Sequence, residues 1–114
     1  MLTVLAPNLS LAQNNSARHE GIRDTWASVM YCQQLYANPQ LTVSIYPGDL
    51  RSCELADEQM QKIVAESFSA SDQLIIENNA RAKARAIRSS TPNNNQAVMA
   101  CRQQCRTLES TKSP

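Results

Sequence analysis

The residues with the most informative chemistry are the four thiols of the 114-residue chain, namely Cys32, Cys53, Cys101 and Cys105. An even number of cysteines in a short, exported chain is typical of a disulfide framework. The chain has only one tryptophan, three tyrosines and one phenylalanine, so few large aromatic side chains are available to its core. Two disulfides would each contribute about 2–4 kcal/mol of stability. The sequence therefore predicts two structural disulfides.

The start of the chain supports an oxidising compartment. Residues 2–12 are uncharged and rich in apolar side chains, and they end in Ser10-Leu11-Ala12, the small-x-small pattern that signal peptidases cut. We therefore predict a signal-peptide remnant over 1–12, a single domain over 13–110 and a disordered tail over 111–114. This organisation predicts a periplasmic or secreted protein.

The spacing of the cysteines limits how they can pair. Cys101 and Cys105 are four residues apart, which places both on one face of a helix, about 6 Å apart along its axis. We expect Cys32 and Cys53 to bridge to this pair, in either order. The remaining pairing needs a bridge within one helix, at the limit of ordinary disulfide dimensions. A zinc site on Cys101 and Cys105, completed by Cys32, Cys53 or His19, is the alternative, but an oxidising compartment disfavours thiolate ligands.

Apolar residues recur at three- and four-residue steps over most of the chain, which predicts helices. The predicted helices cover about 17–38, 57–69, 72–89 and 96–108, and the first should end where Asn38 precedes Pro39. Only two glycines occur, which favours helices over a fold with many tight turns. The predicted fold class is all-α, a small four-helix bundle stapled by two disulfides.

The ends of these helices are less clearly marked. Ser16 is the predicted N-cap of the first helix, and Ser71 or Asp72 the predicted N-cap of the third. Whether 57–89 forms one helix or two is left open, with a break near 69–72 favoured. Residues 39–52 should form an extended connector, because 41–46 alternates and is β-branched but has no second strand to pair with.

Composition excludes several functions. The net charge is +1, which does not suit binding to nucleic acid, and no run of about 20 apolar residues could span a membrane. The acidic residues Asp57, Glu58 and Glu66 are expected on an exposed helix surface, where they form no paired acid–base site. We therefore predict a non-enzymatic protein without a cofactor or metal.

The layout of this chain resembles two groups of bacterial periplasmic proteins. One cysteine ends the first predicted helix, another precedes the second, and a pair lies on the last. Small helical immunity proteins that neutralise secreted cell-wall toxins are similar in this layout, as are the helical pilotins of secretion systems. The resemblance implies a partner protein, either a toxin or enzyme or a component of an envelope complex.

An immunity or inhibitor-type protein is the favoured function, because pilotins are usually lipoproteins and no cysteine stands at the predicted cleavage point. A periplasmic assembly factor or pilotin-like chaperone is the alternative, with an apolar groove near Met30 and Met60 as its binding surface. Homodimerisation is left open.

Two segments are candidates for binding a partner. The first is the non-helical turn, Tyr46, Pro47, Gly48 and Asp49, because binding residues concentrate on loops held by a rigid scaffold. The second is the basic stretch of the third helix, where Arg81 and Arg85 could dock an acidic partner. The simpler interpretation of this basic stretch is a solvated helix face.

Overall fold

The computed structural model describes the backbone of residues 2–110 and the side chains of residues 18–110. Within this range the chain forms four helices and no strand: α1 (Leu2–Ala37), α2 (Asp49–Ser67), α3 (Ala70–Ser90) and α4 (Asn95–Glu109). The predicted all-α bundle is therefore confirmed. The predicted tail over 111–114 and the side chains of the predicted signal remnant lie outside the described residues.

Two helices begin earlier than the sequence predicts. The first begins at Leu2 and continues past Ser16 to Ala37, so Ser16 is not its N-cap. Leucine and alanine, which favour helix, are common between 2 and 16, and no glycine interrupts them. The second begins at Asp49, eight residues before the predicted Asp57, and Gly48 is its N-cap residue. The connector therefore covers 38–48 rather than 39–52.

The break between α2 and α3 is confirmed, and it is set by a cap. Ser69 is extended, and its hydroxyl accepts a hydrogen bond from the backbone N–H of Asp72. This is the N-cap geometry that satisfies a helix's first free donors. The predicted caps Ser71 and Asp72 are therefore wrong by two or three positions. Asn94 caps α4 in the same way, accepting from the N–H of Ala97 at 3.0 Å.

The core lies where α1 packs against the other three helices. The buried residues of α3 are Ile76, Ala80 and Ala84, which repeat every four positions and present small side chains to α1. Small residues at a contact allow two helix axes to approach closely. The larger buried side chains of the other helices include Trp26, Tyr31, Leu35, Tyr36 and Met60.

Polar bonds fix the helices around this core. The indole N–H of Trp26 donates to the Asp57 carboxylate at 2.7 Å, which joins α1 to α2. The hydroxyl of Tyr36 donates to the carbonyl of Val98 at 2.7 Å, which joins α1 to α4. Buried tyrosine and tryptophan need such partners because an unpaired polar group costs about 1–3 kcal/mol. Burial, together with the nearby negative charge of Asp49, raises the pKa of Tyr36 to about 12.

The connector is extended and packs across the bundle, as predicted. Leu41, Val43 and Ile45 are half-buried against the core, while the residues between them are exposed. The strand-like alternation of the sequence is thus satisfied against helices, without a partner strand among the described residues. This packing determines where the connector ends, next to the N-terminus of α2.

Both disulfides join α4 to another helix. Cys32 of α1 pairs with Cys101, and Cys53 of α2 pairs with Cys105. The predicted cross-helix pairing is confirmed, and the order left open by the sequence is resolved. Cys53 lies inside α2 rather than before it. All four thiols are consumed, so none is available to a metal ion.

We expect the Cys32–Cys101 bridge to contribute strongly to stability, because it closes a loop between residues 69 positions apart. Replacing both residues with alanine should lower the free energy of unfolding by about 2–4 kcal/mol. Urea unfolding monitored by circular dichroism would measure the change. An unchanged midpoint in the double variant would contradict a stapling role for this bridge.

Candidate functional site

The most unusual group in the described structure is a buried carboxylate at the start of α2. Asp49 is 1% exposed, although it follows an exposed turn. Its oxygens accept hydrogen bonds from the Arg102 guanidinium, the shortest at 2.9 Å, and from Arg106 at 3.5 Å. They also accept from the backbone N–H of Tyr46 at 2.8 Å. One carboxylate therefore joins the connector, α2 and α4.

The charge of Asp49 is maintained by these partners. Burial alone would raise the pKa of this carboxyl, but the hydrogen bonds from Arg102 and from the Tyr46 N–H outweigh burial and hold the pKa below its ordinary value of 3.8. The same pairing raises the pKa of Arg102. The positive N-terminal end of α2 also favours a carboxylate at this position. Asp49 is therefore ionised at neutral pH.

Above this carboxylate the Tyr46 side chain projects into solvent. Its ring is 60% exposed, yet the guanidinium of Arg102 lies 3.8 Å from the ring centroid. Arg102 thus contacts the Tyr46 ring and the Asp49 carboxylate together. Cation–π contacts of this kind contribute about 0.5–1 kcal/mol at exposed positions. Tyr46 is therefore an exposed aromatic residue whose ring is held by Arg102 and whose backbone N–H is held by Asp49.

The turn is closed by a hydrogen bond between backbone groups, and its conformation requires a glycine. The N–H of Asp49 donates to the carbonyl of Tyr46 at 3.1 Å. Gly48 lies between them with a φ of 89°, a left-handed conformation that side chains disfavour. A Cβ at this position would meet no atom within 4 Å, so the requirement for glycine is conformational rather than steric.

The second disulfide lies beside this cluster. Cys53 is one helical turn after Asp49 on α2, and Cys105 is one turn after Arg102 on α4. Residues separated by three or four positions share a helix face. The covalent bridge and the ion pair are therefore successive links between the same two helices. We call Tyr46, Pro47, Gly48, Asp49 and Arg102 the clamped turn.

The structure corrects one prediction about this segment. Asp49 was expected on the exposed, non-helical connector, but it is buried and is the first residue of α2. Its carboxylate is used inside the protein, so its side chain offers no surface to a partner. Tyr46, Pro47 and Gly48 are exposed as expected. Their role in binding stays a prediction.

The predicted basic residues of α3 form no site with the clamped turn, because α3 does not contact α4. Arg81 is exposed and pairs with Glu77 at 2.6 Å, while Arg85 is exposed and has no ion pair within the described part of the chain.

His19, considered as a zinc ligand, packs edge-on against the Phe68 ring at 4.8 Å between centroids. A structural role explains this histidine.

Arg102 and Arg106 were missed by the sequence analysis. They lie on a helix whose apolar residues and cysteines dominate the pattern, and arginine on a helix is normally solvated. The only available signal was their spacing from the cysteines, one position after Cys101 and one after Cys105. That spacing points to Asp49 only when the partner of Cys105 is known to be Cys53, on the same helix as Asp49.

Comparisons with protein-family models, with curated proteins and with solved structures find no match to this chain. Among the described residues, no helix is both long and apolar enough to cross a bilayer.

We expect Asp49→Asn to lower the free energy of unfolding by about 3 kcal/mol at pH 7, because it removes the buried charge that pairs with the partly buried Arg102 guanidinium. The folded pKa of Asp49 is lowered, so its stabilisation is complete above the carboxyl's ordinary value of 3.8 and is lost as the pH falls through the folded pKa. The difference between wild type and variant should therefore shrink below about pH 4.

Urea unfolding of both proteins between pH 2 and pH 7 would measure this difference. Glu77→Gln is the matched control, since it breaks an exposed ion pair with Arg81 and should cost less than about 1 kcal/mol. Equal losses in the two variants would show that the Asp49 carboxylate is no more important than a surface charge.

Proposed function

We propose that this protein is an exported, non-enzymatic binding module that presents the clamped turn to a partner protein. The observation that carries the proposal is the exposed Tyr46 side chain. Its ring contacts the Arg102 guanidinium, and the backbone N–H of the same residue donates to the Asp49 carboxylate. Tyrosine and arginine are enriched among the residues that dominate protein interfaces. A side chain that is ordered before binding also loses less entropy in the complex.

The surroundings of the turn support this role. Pro47 and Gly48 are exposed beside Tyr46, and neither carries a charge that would have to be desolvated. The turn is anchored through α4, whose two disulfides tie it to α1 and α2. Rigid turns on a stapled scaffold are suited to occluding a cleft in another protein.

The finer proposal is an inhibitor or immunity-type protein that blocks a partner enzyme in the periplasm or outside the cell. Two disulfides are compatible with such a compartment, because they persist under oxidising conditions. Inhibition by occlusion requires no catalytic group from this chain. It requires a rigid projection, which the clamped turn supplies.

A pilotin-like or assembly role is the second candidate, favoured by one specific observation. A shallow, mainly apolar groove of about 460 Å³ runs between α1 and α2 and is lined by Ile22, Met60 and Ile63. An amphipathic helix from an envelope component could lie in such a groove. Met60 was expected at this kind of surface. Met30 instead lines a separate, more polar depression with Trp26.

The test is a comparison of four forms of the oxidised protein. A partner is captured from envelope and secreted extracts with the wild type, and its affinity is then measured for wild type, Tyr46→Ala, Ile63→Ala and Met99→Ala. Met99 is the matched control, because it is 62% exposed but lies outside the clamped turn. We expect Tyr46→Ala to weaken binding about 30-fold or more, as for a hot-spot residue.

The outcomes separate the candidates. Stoichiometric inhibition of a captured enzyme, lost in Tyr46→Ala but kept in Met99→Ala, would support the inhibitor role. Loss of binding in Ile63→Ala but not in Tyr46→Ala would place the interface in the groove and favour the assembly role. Unchanged affinity in Tyr46→Ala would reject the clamped turn as the binding surface.

A further inference from the structure

A second feature of the molecule is a polar cleft of about 690 Å³ at the end of the bundle where α1 and α3 terminate. Its lining includes Tyr31, Gln34, Asn38, Gln40, Arg88 and Asn93. This volume is within the range of sites that bind small ligands. No residue of the clamped turn contributes to it.

A buried hydroxyl in the wall of this cleft lacks a partner. Tyr31 is 6% exposed, and its hydroxyl has no hydrogen bond to any described residue. Tyr36 is equally buried, but its hydroxyl donates to the Val98 carbonyl. Buried polar groups in folded proteins are normally paired. The Tyr31 hydroxyl therefore has an unused donor and acceptor, which an ordered water or a ligand oxygen would satisfy.

The chemistry of the lining limits what that group can be. Arg88 is the single charged residue in the lining and forms no ion pair within the described part of the chain. The helices end beside it, α1 at Ala37 and α3 at Ser90, and helix C-terminal ends carry partial negative charge. This charge opposes the binding of a strong anion. A neutral, polar ligand suits the cleft better.

The other polar side chains of the lining are the hydroxyl of Thr91 and several carboxamides, and both kinds of group donate and accept hydrogen bonds. Gln34, Asn38, Gln40 and Asn93 supply four carboxamides along one cleft. A sugar hydroxyl also donates and accepts, so neighbouring hydroxyls on a sugar ring match such a lining. Arginine adds donors for a ring or acetamido oxygen.

We propose that this cleft binds a short, uncharged saccharide, with the Tyr31 hydroxyl and the Arg88 guanidinium as its central contacts. The Tyr31 hydroxyl is covered in the free protein, so this binding requires a side-chain movement that uncovers it, and Gln34 and Arg88 are long, exposed side chains of the same lining. Binding at this end of the bundle is independent of partner recognition by the clamped turn.

The test uses the oxidised, 15N-labelled protein titrated with maltotriose and with triacetylchitotriose. Trialanine and inorganic phosphate are the controls for a peptide and an anion. We expect at least one trisaccharide to shift the amide resonances of Tyr31, Arg88 and Asn93 with a dissociation constant of about 5 mM or lower. Tyr31→Phe should weaken this binding about tenfold, and Tyr46→Ala should leave it unchanged.

Urea unfolding of the variants shows whether a loss of saccharide binding in Tyr31→Phe comes from a loss of folding. Tyr31→Phe removes a hydroxyl with no partner in the protein, so its urea midpoint should stay the same or rise, whereas Tyr36→Phe should lower it. The proposal is overturned if neither trisaccharide shifts these resonances at about 20 mM. Equal shifts with trialanine or phosphate, or unchanged saccharide affinity in Tyr31→Phe, would also overturn it.

Discussion

A buried carboxylate with three partners organises the exposed surface of this protein. Removing Asp49 from water is costly, and the cost is offset only because Arg102, Arg106 and the Tyr46 N–H converge on it. The carboxylate therefore ties the end of the connector and the first residue of α2 to α4. The Tyr46 ring is held at the same place, since Arg102 contacts the ring and the carboxylate together.

The disulfides make this arrangement possible in a small core. α4 contributes few large apolar side chains, and its buried residues are Ala97, Val98 and the two cysteines. The bridges to α1 and α2 hold the helix at fixed distances from both, so Arg102 and Arg106 reach Asp49 without a large apolar interface. The clamped turn therefore depends on a helix that is held by cystines, and cystines persist under oxidising conditions.

The fold could be predicted from the sequence to a considerable extent, but the site could not. Helical periodicity and the four-residue spacing of Cys101 and Cys105 were sufficient for the bundle and its cross-helix bridges. The start of α2 was predicted eight residues too late, because the contact between the buried Asp49 carboxylate and the distant arginines leaves no local signal near residue 49. Such a contact spans more than 50 positions, so local patterns carry no trace of it.

The most direct test of the account is the mobility of the Tyr46 amide in the free, oxidised protein, measured by 15N relaxation. If the carboxylate holds the turn, the order parameter should be about 0.85, comparable to helix α2, and should fall below about 0.6 in Asp49→Asn. A low order parameter in the wild type would contradict the account, because Tyr46 would then move freely above the bundle. So would a high order parameter that persists in the variant, because the turn would then be held by something other than the carboxylate.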